Sequence, residues 1–139
     1  MIVVDTNVLS ELMKPQASGA VVGWIAAQER DAVFVTVVTL AEITYGLDIM
    51  PVGRRREAHQ QMADEIFDID FADRLLPFDR RAAREFGEIV GSRRRAGRPI
   101  QPLDAMIAAI ARANRMAVAT RNVEDFTGCG VDLINPWEA

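Results

Sequence analysis

Short β-branched runs alternate along this chain with longer stretches of helical periodicity, and that alternation leaves few folds open. Ile2-Val3-Val4 and Val33-Phe34-Val35-Thr36 are too short for helices and lack the apolar/polar alternation of a half-exposed strand. Residues 116–120 form a similar run, and residues 131–134 a last short one. Strands buried on both faces belong to a parallel sheet with helices above and below it. Leu75-Leu76-Pro77-Phe78 reads as a weaker strand, and its proline suits a sheet edge.

The intervening segments read as helices. Residues 10–13 predict a brief one, stopped near Pro15. Ser18 is positioned to cap a second, which carries Val21, Val22, Trp24 and Ile25. Residues 39–49 follow, closed by Pro51, with Thr39 and Glu42 spaced as a capping box. From Arg54 to Ile69, the positions Ala58, Met62, Ile66 and Ile69 recur at helical spacing. Asp79 caps a helix reaching about Arg95, with Ala82, Ala83, Phe86, Ile89 and Val90 as its inner stripe. A loop at residues 96–102 precedes a strongly apolar helix over residues 103–114. The expected architecture is one α/β domain spanning residues 1–139, with a central, mainly parallel sheet of about five strands.

Several function classes are short of parts. Cys129 is the one cysteine, so no intrachain disulfide forms, and a reducing compartment suits the chain. No signal peptide or membrane span is legible, which makes the cytoplasm the expected location and a membrane partner unexpected. His59 is the one histidine and falls on a charged helix, so two-histidine RNA cleavage and a cysteine–histidine nucleophile both lack a partner. The net charge of −4 argues at first against nucleic acid. Yet of the 16 basic residues only Lys14 is a lysine, and the arginines gather at Arg54-Arg55-Arg56, Arg80-Arg81-Arg84 and Arg93-Arg94-Arg95 with Arg98. Those clusters read either as phosphate contacts or as solvated faces paired with Glu57, Glu85 and Glu88.

What remains is carboxylate chemistry. Ligands of an open parallel sheet bind beyond the carboxyl ends of its strands. Asp5 follows the first strand directly, Glu42 falls in the first turn of the helix after the second, and Asp104 falls in the first turn of the helix leading to the fourth. Asn122 and Asp125 follow the fourth strand. Each has a local explanation as a cap, a dipole partner or a turn acid. Together they converge on one edge, where like charges repel and a cation relieves them. Oxygen donors without histidine or cysteine suit Mg2+ or Mn2+.

These residues carry a resemblance. Ile2-Val-Val-Asp5-Thr-Asn7, Val37-Val-Thr-Leu-Ala-Glu42-Ile-Thr-Tyr-Gly46, Pro102-Leu-Asp104-Ala-Met-Ile-Ala108 and Ala119-Thr-Arg-Asn122-Val-Glu-Asp125-Phe126 together resemble the PIN-domain toxins called VapC. The closing Ile134-Asn-Pro-Trp137 is similar to the FitB-like subgroup. The resemblance implies a three-layer α/β/α PIN fold, one or two Mg2+ or Mn2+ ions, and hydrolysis of RNA phosphodiesters. It implies metal-binding or catalytic roles for Asp5, Glu42 and Asp104, with Thr6, Asn7 and Thr120 in support. Relatives commonly carry a fourth acid after the fourth strand; here Asn122 stands at that position, with Asp125 three residues on as the other catalytic candidate. Arg121, beside this motif, is a candidate for substrate phosphate.

The resemblance also implies a VapB- or FitA-like antitoxin laid over the active-site groove, a homodimer, and operator DNA reached only through the antitoxin. Phe67, Ile69, Phe71 and Leu75 are a candidate apolar surface for such contacts. Two other readings stay open. A PIN domain silent in catalysis and serving as a binding subunit of a repressor complex accommodates Asn122. A haloacid-dehalogenase-type phosphatase also begins with an aspartate after an apolar strand, but it wants a second one at position 7, which is Asn.

Overall fold

The computed structural model describes residues 1–139. In chain order the elements are β1 (Ile2–Val4), α1 (Thr6–Leu12), α2 (Gly19–Ala26), β2 (Val33–Thr36), α3 (Val37–Asp48), α4 (Arg54–Glu65), β3 (Leu75–Leu76), α5 (Arg80–Arg95), α6 (Pro102–Ala113), β4 (Ala117–Ala119), α7 (Val123–Phe126) and β5 (Leu133–Ile134). A 3-10 turn precedes β2, and a π-helical turn, Ile66–Asp70, extends α4. The sheet order is β3-β2-β1-β4-β5, and every pairing is parallel. Leu75-Leu76 takes the edge, where Pro77 interrupts no inner ladder.

Side chains alternate across the sheet and build two cores. Val3 and Val118 point to one face, packed with Ile89 of α5 and with Ile107 and Ile110 of α6. Val4, Val33 and Val35 point to the other, packed with Val8 and Leu9 of α1, Val21 of α2, and Ile43 and Leu47 of α3. Helices on both faces of a parallel sheet make the three-layer α/β/α arrangement of the expectation.

The position of α6 matters most for function. Ala105, Ala108, Ala109 and Ala111 are wholly buried, as are Ile107 and Ile110. Small side chains on several faces let this helix lie deep between its neighbours. Pro102 opens it at a position where no amide donor is missed, which sets Asp104 at the third helical residue.

Several local expectations change. Helix α1 starts immediately after Asp5 and runs Thr6–Leu12 rather than over residues 10–13. The acid that ends the strand is itself the cap, accepting from the Thr6 amide at 2.7 Å. Helix α3 starts at Val37, and its cap is Thr36, whose hydroxyl accepts from the Thr39 amide at 3.2 Å. Thr39 is therefore no cap, the capping box with Glu42 does not form, and Glu42 lies in the second turn. Ser18 stands at the start of α2 but makes no side-chain cap; its amide donates to Glu11 Oε2 at 3.1 Å.

The inner face of α4 and its extension is Ala63 and Phe67, while Ala58, Met62 and Ile69 are exposed. Phe67 is core, and Phe71 and Leu75 pack against the same core, so of the four candidate surface residues only Ile69 is exposed. On α5, Ala82 and Ile89 are buried, Phe86 and Val90 half-buried, and Ala83 faces outward.

Candidate active site

The parallel register decides which residues meet. β1 pairs with β2 on one side and β4 on the other, so the chain leaves all three strands at one edge. Asp5 leaves β1 there, its amide still bonded to the Ala119 carbonyl at 2.8 Å. Glu42 reaches the same edge from α3, Asp104 from the first turn of α6, and Asn122 from the turn after β4. One cleft of about 410 Å³ is lined by Asp5, Thr6, Asn7, Glu42, Asp104, Arg121 and Asn122. Asp125 does not line it. It lines a neighbouring depression with Glu124, Asn135 and Glu138, which Arg121 and Asn122 border together with the cleft, and its charge acts on both Asp5 and Asp104.

Asp5 is nearly buried, at 5% exposure, and both of its oxygens are engaged. The Thr6 amide donates to Oδ1, and the Thr120 hydroxyl donates to Oδ2 at 2.8 Å. Thr120 is held in turn, because its hydroxyl accepts from Asn7 Nδ2 at 3.3 Å and from the Asn122 amide at 3.1 Å. The Asn7 side-chain oxygen accepts from the Arg121 amide at 3.3 Å. Thr6 reaches the other way: its hydroxyl donates to Glu42 Oε1 at 2.7 Å and lies 2.9 Å from the Thr39 hydroxyl. The three supporting residues expected from the motif thus tie β1, α1, β4 and α3 together around the acids.

Electrostatics mark the same place. Burial, above all, raises the Asp5 carboxyl above its ordinary value; the bonds from Thr120 and Thr6 temper the rise, and the charges of Glu42 and Asp125 add to it. Asp104 is pushed up to about 6, first by burial and then by the charges of Asp5, Asp125 and Glu42, with Arg93 acting in the opposite sense. A carboxyl with neighbours of this kind is short of positive charge.

The donor set fits a hard divalent ion. All the candidate ligands are oxygens, and Asp5, Glu42 and Asp104 face one shared cleft. No three of the carboxylates close tightly enough to cage an ion by themselves.

Ser10, Glu11 and Lys14, which no motif singled out, also line the cleft, as does Trp137 of the closing Ile134–Trp137 motif, which carried no site role. Glu11 accepts from Lys14 Nζ at 3.1 Å and from the Ser18 amide, and these bonds hold its carboxyl below the ordinary range. The signal for Trp137 was available in principle. β5 runs parallel to β4, so whatever follows Ile134 emerges at the acid-bearing edge. His59 is not remote from the site either; it lines a second groove of about 390 Å³ that shares Thr6, Ser10, Lys14 and Glu42 with the first. Cys129 is buried, and burial pushes its thiol up despite Arg93 nearby, so it is no nucleophile.

The arginine clusters divide. Arg94 and Arg95 are exposed, whereas Arg93 is buried and donates to the carbonyls of Arg98, Asp125 and Thr127. Glu85 and Glu88 pair with Arg112, outside any cluster, at 2.7 Å each.

Fold and site together define a PIN domain: a parallel sheet whose carboxyl edge gathers acids from separate elements. The PIN domain family model matches residues 2–127, and the chain belongs to that family. Within it, the chain is 41% identical over 138 residues to VapC ribonuclease Y4jK of Sinorhizobium fredii (strain NBRC 101917 / NGR234), covering 99% of each protein. It is 33% identical over 138 residues to toxin FitB of Neisseria gonorrhoeae (strain ATCC 700825 / FA 1090), again 99% of each. A solved structure of FitAB bound to an IR36 DNA fragment matches with a TM-score of 0.92 at 35% identity, over 99% of this chain and 96% of that one.

Proposed function

We propose that this protein is the toxin of a type II toxin–antitoxin pair, a Mg2+- or Mn2+-dependent endoribonuclease restrained by a VapB- or FitA-like antitoxin. The observation that carries the reading is the meeting of Asp5, Glu42 and Asp104, from three separate elements, on one cleft where burial first, and then the charges of the neighbouring acids, lift Asp104 to about 6. The names of the full-length relatives, a VapC ribonuclease and toxin FitB, support it.

Asp5 and Asp104 hold the ion, and Glu42 completes or orients its surroundings. When bound, a divalent ion supplies Lewis acidity to the phosphate and a water nucleophile at neutral pH. The chain's own residues do the rest. Thr120 and the Thr6 amide fix both oxygens of Asp5, so a lone pair is aimed without rotamer search. The Thr6 hydroxyl fixes Glu42. Asn122, neutral at the cleft, positions water or substrate through its amide, and Arg121 meets phosphate. Asp125 contributes charge from the adjoining depression. Products carry a 5′-phosphate and a 3′-hydroxyl, because water rather than the neighbouring 2′-OH attacks.

The second groove continues from the cleft past Ile43, Leu47 and Met50, which gives an antitoxin segment a partly apolar path up to the acids. The similar FitAB structure is a complex bound to DNA, which supports a toxin that reaches operator DNA as part of an antitoxin complex; a homodimer, with the antitoxin making the DNA contact, belongs to the same proposal. No helix is long and apolar enough to cross a membrane, and the cytoplasm, where RNA is met, is the proposed place of action. The neutral Asn122 favours one other reading, a domain that binds without cutting.

Incubating antitoxin-free protein with structured RNA separates the two. Cleavage is expected in Mn2+ and is lost in EDTA, and the new ends are 5′-phosphorylated. Absence of cleavage in Mn2+ defeats the nuclease; cleavage undiminished by EDTA defeats the metal. Thr120→Val is a finer test. It keeps the shape of the side chain and removes the donor to Asp5, and loss of a bond that orients a metal ligand lowers activity by roughly 10–100-fold. Activity within twofold of the parent, measured at saturating Mn2+, would mean that Asp5 needs no such anchor.

A further inference from the structure

Trp137 is the single apolar residue lining the acidic cleft, and its placement is built rather than incidental. β5 ends at Ile134, whose carbonyl accepts from the Thr120 amide at 2.9 Å, directly beside the acid-anchoring threonine. The chain then turns on Asn135, whose side-chain oxygen accepts from the Trp137 amide at 3.0 Å. Pro136 is buried, and the tryptophan packs partly on the core below β1 and β2. The ring is thus held rigidly, half-exposed, at the rim where the acids meet. Across it lies the Arg121 guanidinium, 5.1 Å from the ring centroid, a cation–π contact made by an otherwise exposed side chain.

We infer that Trp137 is a stacking platform for one base of single-stranded RNA beside the scissile phosphate, and that Arg121 covers the ring in the free protein and moves to phosphate when the base arrives. The inference rests on the nuclease reading and adds a substrate class to it. A flat guanidinium and a nucleobase are alternative partners for one aromatic face. Single-stranded loops expose bases that splay out and stack on aromatic side chains, whereas paired bases are already stacked on each other. Releasing Arg121 frees a bidentate phosphate ligand beside the acids, so the exchange couples base recognition to neutralisation of the backbone. The cleft's remaining lining is polar and offers a base no other apolar face.

The test uses the ring itself. Trp24 is the only other tryptophan, so in a Trp24→Phe, Asp104→Asn protein the emission reports Trp137 alone and no RNA is consumed. Adding a random-sequence single-stranded oligoribonucleotide pool is expected to quench that emission; the same length of abasic strand, or of perfect duplex, leaves it nearly unchanged. Trp137→Ala is expected to weaken binding of the labelled pool about tenfold, with Trp137→Phe restoring most of it. Arg121→Ala reduces the salt dependence of binding by about the one-phosphate increment for single strands, while Trp137→Ala leaves the salt slope unaltered. Unquenched emission at saturating RNA, equal quenching by the abasic strand, or quenching by the cognate antitoxin alone overturns the platform. The unmodified chain in Mn2+ tells the two failures apart: RNA cut by wild type and equally by Trp137→Ala removes the platform and spares the nuclease, whereas no cleavage by wild type removes the nuclease first.

Discussion

Asp104→Asn is expected to abolish RNA cleavage, by a thousandfold or about 4 kcal/mol of barrier, and at the same time to stabilise the metal-free protein. The two effects have one cause. In the folded chain the Asp104 carboxyl is raised to about 6 from an ordinary 3.8, chiefly by burial and by the charge of Asp5. The folded state therefore keeps a proton that the unfolded chain has released, and between about pH 4 and pH 6 stability falls as pH rises. Above that window the cost is constant. Asparagine removes it, so the variant and wild type unfold alike near pH 4, and the variant is the more stable at pH 7.5. The full shift overstates the gain, because Asp104 is half-exposed and solvent screens it; roughly 1 kcal/mol is expected. Thermal unfolding in EDTA across this pH range measures the divergence, and added Mn2+ should stabilise wild type far more than the variant. Parallel curves with no pH-dependent gap would show that Asp104 bears no strain, and retained cleavage would remove it from the metal site.

The fold was legible because its signal is burial. Ile2-Val3-Val4 and Val33–Thr36 have no polar face to offer solvent, and only an interior parallel sheet accepts such strands; the observed strand order puts β1 at the centre and the proline-bearing strand at the edge. The meeting of Asp5, Glu42 and Asp104 was legible for the same reason, since parallel strands all end at one side, where the helix that leads back into the next strand also begins. Local signals competed less well. Thr39-Leu-Ala-Glu42 has the letters of a capping box, but Thr36 lies three residues earlier with the same hydroxyl, and the buried strand end lets the helix begin there. Asp125 follows β4 as expected, yet on the short helix Val123–Phe126 it lines only the next depression, whereas Asn122 borders both that depression and the cleft. That difference depends on one turn's geometry, which no periodicity encodes. The surface expected of Phe67, Phe71 and Leu75 went to the core: Phe67 follows the buried Ala63 by four residues on the inner face, and Phe71 and Leu75 pack against the same cluster.

Arginine patterning misled most, and Arg93 shows why. In the sequence it is one of three adjacent arginines at a helix end, indistinguishable from Arg94 and Arg95. In the structure its guanidinium closes the loop that follows α7, with Nε on the Arg98 carbonyl at 2.6 Å and Nη1 on the carbonyls of Asp125 at 2.8 Å and Thr127 at 2.9 Å. Arg93→Met, which fills the volume without the donors, is expected to cost roughly 2–4 kcal/mol, since each of the three part-buried carbonyls deprived of a charged donor loses about 1–2 kcal/mol and water recovers part of it. For a chain of this length that is a fall of about 10 °C in Tm. Arg93→Lys should recover little, because one ammonium cannot span three carbonyls that a planar fork reaches together. The loss is also directional. Amides between Asn122 and Thr127 should exchange with solvent faster than those of the sheet, and Asp104, deprived of the Arg93 charge that lowers its carboxyl, should hold its proton to still higher pH. A variant that melts within about 2 °C of wild type, or that loosens the whole sheet evenly, would mean that the loop beneath Asn122 is held by something other than this side chain.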